Sequence, residues 1–280
     1  MSYVTKKRYV LITGCSTGIG LSLAQSLSTF GFHVIASTRK SRDTQRLKRL
    51  GVQCIPLDLE SPESIASAID QLTDITNGTL YALINNGAYG QPGAVEDLSR
   101  HALKAQFETN VFGTQELTNH CIPLFRRQGY GRIIQISSIL GRVCLANRGA
   151  YNASKYALEA LSDTMRLELE GSGIFVSLIE PGPIESDFRK NCLKHFQANI
   201  NALNSAHSET YSRELKRLDT TENTKFTLPA SSLLKPVLHA LDSPYPKPRY
   251  TVTTPAKVLP WLKRITSDRF MDKILKKAGG

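Results

Sequence analysis

The chain has 280 residues, of which 41% are hydrophobic and 21% charged, which excludes a disordered polymer and fits a soluble globular fold. Its formal net charge of +11 is dispersed and comes with no nucleic-acid motif, so it reads as a solvated surface rather than a nucleic-acid site. Five scattered cysteines, Cys15, Cys54, Cys121, Cys144 and Cys192, show no C-x-x-C spacing, so no metal site is expected and a reducing, cytoplasmic setting fits best.

Met1 to Arg8 lead directly into an apolar strand, without the apolar stretch of about 7–15 residues that marks a signal peptide. No apolar run approaches the roughly 18 residues needed to span a bilayer. Val- and Ile-rich runs predict strands at Tyr9 to Thr13, His33 to Ser37, Val52 to Leu57, Leu80 to Asn85, Arg132 to Ser137 and Ile174 to Glu180. Between them, helices are expected at Ile19 to Phe30, Thr44 to Leu50, Pro62 to Leu72, Ser99 to Arg127 and Tyr151 to Gly171. This alternation implies right-handed crossovers and an α/β fold, a doubly wound parallel sheet with helices on both faces. The expected organisation is a single Rossmann-type domain over residues 1–280. Its core covers about 8–187, a helical substrate lid about 188–228, and a C-terminal extension about 243–280. A helix over Pro229 to Leu241 and a short strand near Tyr250 complete the pattern.

Ligands of such sheets bind beyond the carboxyl ends of the strands. There the first strand runs into Thr13-Gly14-Cys15-Ser16-Thr17-Gly18-Ile19-Gly20, a glycine turn feeding a helix N-terminus, where free N–H groups and the helix dipole attract a pyrophosphate. The same residues match G-x-S-x-G, so Ser16 could alternatively be a hydrolase nucleophile. That reading needs an acid and a histidine at later strand ends, and no histidine position stands out. The second strand ends in Ser37-Thr38-Arg39-Lys40, with no carboxylate for a ribose 2′-hydroxyl; Thr38 and Arg39 suit a 2′-phosphate, hence NADP(H). Asp58, after the third strand, is placed either to meet the adenine amino group or to serve as an ordinary turn aspartate.

Tyr151 and Lys155 are four residues apart, hence on one helix face. A phenol near pKa 10 must favour phenolate by roughly 4 kcal/mol, about three units, to exchange protons readily at neutral pH. A neighbouring ammonium and a positive nicotinamide ring are the charges that would do so. Ser138 precedes Tyr151 by thirteen residues at the end of the fifth strand, and Asn110 sits in the middle of a long helix, where Asn is a middling former.

Together these motifs resemble the short-chain dehydrogenase/reductase family over roughly residues 8 to 187. The resemblance implies Ser138, Tyr151, Lys155 and Asn110 as the catalytic set, with Asn110 holding a relay water against Lys155. It implies cofactor contacts from Gly14, Ser16, Thr17, Gly18, Ile19, Gly20, Asn86, Tyr151, Lys155, Pro181, Gly182, Ile184 and Ser186, the last standing where the family more often has Thr. Asn85-Asn86-Gly87-Ala88 reverses the family's usual Ala-Gly order, which would move glycine's backbone freedom by one residue.

The run from Arg249 to Lys277 is similar to bacterial aldehyde reductases, while Glu180-Pro181-Gly182 also resembles retinol and 17β-hydroxysteroid dehydrogenases. These likenesses imply an aldehyde or apolar ketone substrate, with retinol- or hydroxysteroid-type chemistry, or a non-catalytic NADPH sensor, as alternatives. Family resemblance also implies a homo-oligomer, dimer or tetramer, through Ser99 to Arg127 and Tyr151 to Gly171. Phe270, Met271, Ile274 and Leu275 form an apolar helical face in a basic tail. Packing on the protein itself is expected there, in preference to peripheral membrane contact.

Overall fold

The computed structural model describes residues 7–220 and 225–278; the leader at 1–6 and part of the expected lid, 221–224, lie outside them. Seven strands, β1 (Tyr9–Ile12), β2 (His33–Thr38), β3 (Gln53–Pro56), β4 (Ala82–Asn85), β5 (Gly131–Ile136), β6 (Ile174–Pro181) and β7 (Arg249–Val252), form one sheet in the order β3-β2-β1-β4-β5-β6-β7. All six neighbouring pairs are parallel. The order reverses between β1 and β4, so the crevice at their carboxyl ends is where this architecture places a ligand.

Helices α1 (Gly18–Thr29), α2 (Ser41–Arg49), α3 (Pro62–Thr76), α4 (Arg100–Phe107), α5 (Thr114–Gln128), α6 (Gly149–Glu168), α7 (Phe188–Asn199), α8 (Ser208–Asp219), α9 (Leu234–Asp242), α10 (Thr254–Ile265) and α11 (Asp268–Ala278) complete the chain. A parallel sheet covered on both faces needs continuously apolar strands. β1 meets that need by sending Val10 and Ile12 into one apolar cluster and Leu11 into the cluster on the opposite face. Each such side chain contributes on the order of 1.5–3 kcal/mol when fully buried.

Several predicted boundaries move, for local reasons. α3 runs on to Thr76 because nothing breaks it before Asn77, which ends it in the left-handed conformation at φ 51°; Ser61 caps its start by accepting from the Ser64 N–H. The single long helix expected over Ser99 to Arg127 is instead α4, a π-helical turn over Glu108–Gly113, and α5. Gly113 lies so close to the Leu59 carbonyl that a Cβ there would overlap it, and the chain takes up the wider turn at this contact. Such turns interrupt the regular ladder and recur at functional sites. The Pro229 to Leu241 segment starts as a 3-10 turn at Ala230–Leu233 before becoming α9.

In the tail, Met271 is buried, and Ile274 and Leu275 pack on the same cluster as Ile139, Leu140, Val143 and Tyr151. Phe270 departs from the face predicted for it and is 52% exposed. Among the described residues no helix is long and apolar enough to cross a membrane.

Candidate active site

The glycine turn is shaped by backbone demands. Gly14 and Gly18 have φ of +69° and +58°, the left-handed region that side chains avoid. A Cβ on Gly14 would stand 2.7 Å from Gly87 Cα, and one on Gly20 would stand 2.5 Å from Asn86 Nδ2. Asn86 ties the end of β4 to this turn: its Nδ2 donates to the carbonyls of Thr13 (2.9 Å) and Gly14 (3.1 Å). Thr13 Oγ1 in return accepts from the N–H groups of Asn86 (2.9 Å) and Gly87 (2.8 Å).

Gly87 does not take a positive φ, so the reversed Ala-Gly order does not relocate backbone freedom as expected. What Gly87 supplies is room, since a Cβ there would come within 3.2 Å of Leu59 and Thr13. Thr17 precedes α1 without a side-chain cap bond, so no side chain takes the first N–H groups of the helix, at Gly18, Ile19 and Gly20. Those groups, with the Ser16 and Thr17 hydroxyls beside them, fit a pyrophosphate. Past β6, Gly182 is held by its N–H donating to the Val252 carbonyl (3.0 Å), while Ile184 forms a bridge to Leu228. Ser186 reaches the glycine turn: a Cβ on Gly18 would lie 3.0 Å from Ser186 Cβ. The segment from Pro181 to Ser186 thus borders the same cleft.

At the end of β2, Arg39 and Lys40 are exposed. Thr38, at the same strand end, is buried with its hydroxyl 2.7 Å from that of Thr44, a contact that holds α2 against the strand. Arg46, not singled out by the sequence, donates from Nη2 to the Ser16 carbonyl and brings a second guanidinium to this end; the signal was the basic i, i+4 pair Arg42 and Arg46 on α2. Asp58 has a structural task, accepting through Oδ1 from the Glu60 N–H (3.1 Å) and shaping the turn into α3.

Ser138, Tyr151 and Lys155 converge where β5 meets α6. Lys155 is buried and its Nζ donates to the Ile136 carbonyl at 2.8 Å, 5.8 Å from the centre of the Tyr151 ring. Burial brings the Lys155 ammonium down to about 8, with Glu159 opposing. The Ser138 hydroxyl accepts from the Leu140 N–H (3.1 Å) and lies beside the Tyr151 phenol, whose proton it makes easier to lose. Burial is the larger influence on Tyr151 and pushes its phenol above the ordinary value. The downward shift expected from the sequence is therefore absent in the protein alone, because the ammonium has turned to a carbonyl and desolvation disfavours phenolate.

Asn110 lies in the π-helical turn and is 1% exposed. Its side chain clamps neighbouring elements: Oδ1 accepts from the Tyr89 N–H (3.1 Å), and Nδ2 donates to the Tyr89 carbonyl (2.9 Å) and to Ser154 Oγ (3.1 Å). With its side chain so occupied, only the backbone of Asn110 is left to hold a water.

A cavity of about 90 Å³ opens beside Tyr151, walled by Leu140, Phe188 and Cys192 and edged by Arg148 and Arg217. The Phe188 ring meets the Tyr151 ring edge-on, centroids 5.3 Å apart, and α7 is further held where His195 stacks on Tyr89 at 4.1 Å. No motif marks this wall, although Phe188, Cys192 and Phe196 follow the i, i+4, i+8 spacing of one helix face. Among the described residues no histidine bonds to Ser16; His207 pairs with Glu96 and His239 with Tyr250. No cluster of metal-ligating side chains occurs among them either.

Residues 8–196 match the family model described as short chain dehydrogenase. The chain is 41% identical over 273 residues to the uncharacterized oxidoreductase YbbO of Escherichia coli K12, covering 96% of this chain and 94% of that protein. It is 30% identical to human retinol dehydrogenase 16, covering 91% and 83%. A short-chain dehydrogenase from Streptomyces avermitilis has a similar structure, with 25% identity, a TM-score of 0.77 and 97% of each chain covered.

Proposed function

This chain is an oxidoreductase of the short-chain dehydrogenase/reductase family, and from that premise we propose that it reduces an aldehyde or apolar ketone with NADPH. The observation that carries this reading is the convergence of Ser138, Tyr151 and Lys155, with Tyr151 lining an apolar cavity, on the carboxyl edge of the sheet that also carries an uncapped, glycine-built helix start. Gly14, Ser16, Thr17, Gly18, Ile19 and Gly20 would hold the pyrophosphate, and Arg39 with Arg46 the 2′-phosphate. Asn86 keeps the turn in shape, and Pro181, Gly182, Ile184 and Ser186 would border the nicotinamide.

When bound, the reduced nicotinamide supplies the hydride. Ser138 holds the carbonyl oxygen by a hydrogen bond, and Tyr151 delivers the proton to that oxygen as charge develops on it. The Lys155 ammonium stabilises the phenolate left behind, and Asn110 ties the π-helical turn to the loop after β4 at Tyr89 and to α6 at Ser154. Leu140, Phe188 and Cys192 exclude water from the reacting carbon. The same groups run the oxidation of an alcohol, and the likeness to a retinol dehydrogenase favours that direction as the second reading.

A panel of aldehydes, ketones and alcohols assayed with NADPH, NADH and their oxidised forms tests the reading. Reduction of aldehydes preferring NADPH is expected; cofactor binding without turnover of any member would leave a sensor instead. The reading includes a cytoplasmic homo-oligomer, dimer or tetramer, assembled through the stretch from Ser99 to Arg127 and through α6, where Phe112 of the π-helical turn is 52% and Leu161 of α6 38% exposed. A monomer in light scattering at assay concentration would remove that part.

A further inference from the structure

The far wall of the substrate cavity carries more positive charge than the protein itself balances. Arg148 and Arg217 both border it, together with Tyr151. Arg217 takes Glu214 in a fork, Nε to Oε2 at 2.8 Å and Nη2 to Oε1 at 2.5 Å, and this two-bond geometry satisfies both partners. Glu214 is 6% exposed and its charge is spent on Arg217.

Arg148 receives only the remainder. Its Nη2 is 3.7 Å from Glu214 Oε1, an oxygen already engaged, and its side chain is 16% exposed. No hydrogen bond joins the guanidinium to a protein acceptor among the described residues. Burial and the neighbouring Arg217 both work against its charge, with Glu214 and, less strongly, Cys192 favouring it. A guanidinium cannot shed its proton to escape this position, and a largely buried cation without a hydrogen-bonded partner is costly. Arg148 also stands just before α6, whose N-terminus has no side-chain cap and adds positive potential at the same place. Arg148 and Arg217 against the single carboxylate of Glu214, with a helix N-terminus beside them, leave a net positive patch on the wall of an otherwise apolar cavity that Arg189 also lines.

We propose that Arg148 is a specificity-determining residue that binds an acidic group, a carboxylate, at the end of the substrate remote from its carbonyl. The inference rests on the carbonyl reductase reading and deepens it: the carbon that reacts lies among Leu140, Phe188 and Cys192, and the acidic end meets Arg148. Glu214 and Arg217 are the support that leaves Arg148 free to do so. The substrate class is accordingly an aldehyde or ketone bearing a carboxylate, joined to the carbonyl by a short apolar chain.

The test compares an ω-carboxy aldehyde with its methyl ester, matched in chain length, in the wild type, Arg148→Met and Arg148→Lys. The acid is expected to exceed the ester in kcat/KM by about tenfold or more in the wild type, the size of a charge-assisted hydrogen bond. Arg148→Met should abolish that ratio while changing ester turnover less than about threefold, and Arg148→Lys should retain part of it. The corresponding dicarboxylate, added to the protein without cofactor, should raise the melting temperature of the wild type and leave that of Arg148→Met unmoved. This second arm reads the acidic site even if no aldehyde is turned over, and it separates failure of the inference from failure of the reductase reading. Equal use of acid and ester by the wild type, or a preference or melting shift that survives Arg148→Met, overturns the proposal. Loss of ester and acid turnover together with a fall in the melting temperature of the unliganded variant marks Arg148 as structural and overturns it equally.

Discussion

The proposed nucleotide cleft and the proposed substrate cavity are built from different material. The cleft is made of main chain: Gly14 and Gly18 at positive φ, the uncapped start of α1, and an Asn86 side chain that bonds only to carbonyls. The cavity is made of side chains from distant segments, with Phe188 and Cys192 from α7, Arg217 from α8 and Leu140 after β5. A backbone site tolerates few residue types and recognises what all its ligands have in common, a phosphate. A side-chain site can be changed one residue at a time without disturbing the sheet, and that is where discrimination between substrates resides.

The proposed mechanism puts catalysis between the two, at Tyr151, so the largest effect is expected there. Tyr151→Phe should lower kcat by about 10²–10⁴-fold, the share of general acid catalysis, while NADPH titration by fluorescence gives a Kd within a few-fold of the wild type. A variant as active as the wild type would show that the proton comes from elsewhere.

Next in size is the frame beneath α6. Arg249 on β7 reaches Glu159 (3.1 Å), Asp163 (2.5 Å) and Glu180 (3.0 Å), and Glu180 is 1% exposed. Arg249→Met leaves buried carboxylates short of a partner and should cost about 3–5 kcal/mol in denaturant unfolding. Arg142, 3.0 Å from Glu180, sets the lower end of that range, and a loss below about 1 kcal/mol would mean the network is not mutually dependent.

In the cleft, Arg39→Ser combined with Arg46→Ser should reduce the preference for NADPH over NADH by about 10–100-fold, from the loss of charge-assisted bonds. NADH turnover should hardly change. An equal fall with both cofactors would place these arginines in folding rather than phosphate recognition.

The smallest effect concerns pH. Lys155 is brought down to about 8 by burial, so its ammonium is present below that value and is lost as pH rises through it. kcat/KM for reduction should be level well on the acid side, fall to half its plateau near pH 8 and keep falling above it. A profile level well past pH 8 would show that the ammonium is not needed in that form.

The difference between the regions also decides what the residues alone could reveal. Gly14, Gly18, Tyr151 and Lys155 were legible because fixed spacing enforces them: a turn needs glycine, and a helix puts i and i+4 on one face. The sheet was legible for the same reason, since parallel strands must be continuously apolar. The π-helical turn was not, because neither Gly113 nor Pro123 by itself marks a wider turn at Glu108–Gly113, and α5 runs on through Pro123; the cause is Gly113 meeting Leu59 in space. The bond from Thr38 to Thr44 was not legible either, because it forms only once α2 has docked on the strand. The shortfall at Arg148 is a property of three residues spread over about seventy positions, and no local pattern records it.

The most direct test of the central claim follows the hydride itself. The protein is incubated with an aldehyde and NADPH carrying deuterium at the transferring position of the nicotinamide, and the alcohol is analysed by mass spectrometry. One deuterium on the carbinol carbon, with the hydroxyl hydrogen drawn from solvent, is the predicted result. An alcohol without deuterium at that carbon, or no alcohol from any aldehyde while NADPH stays bound, would contradict the account.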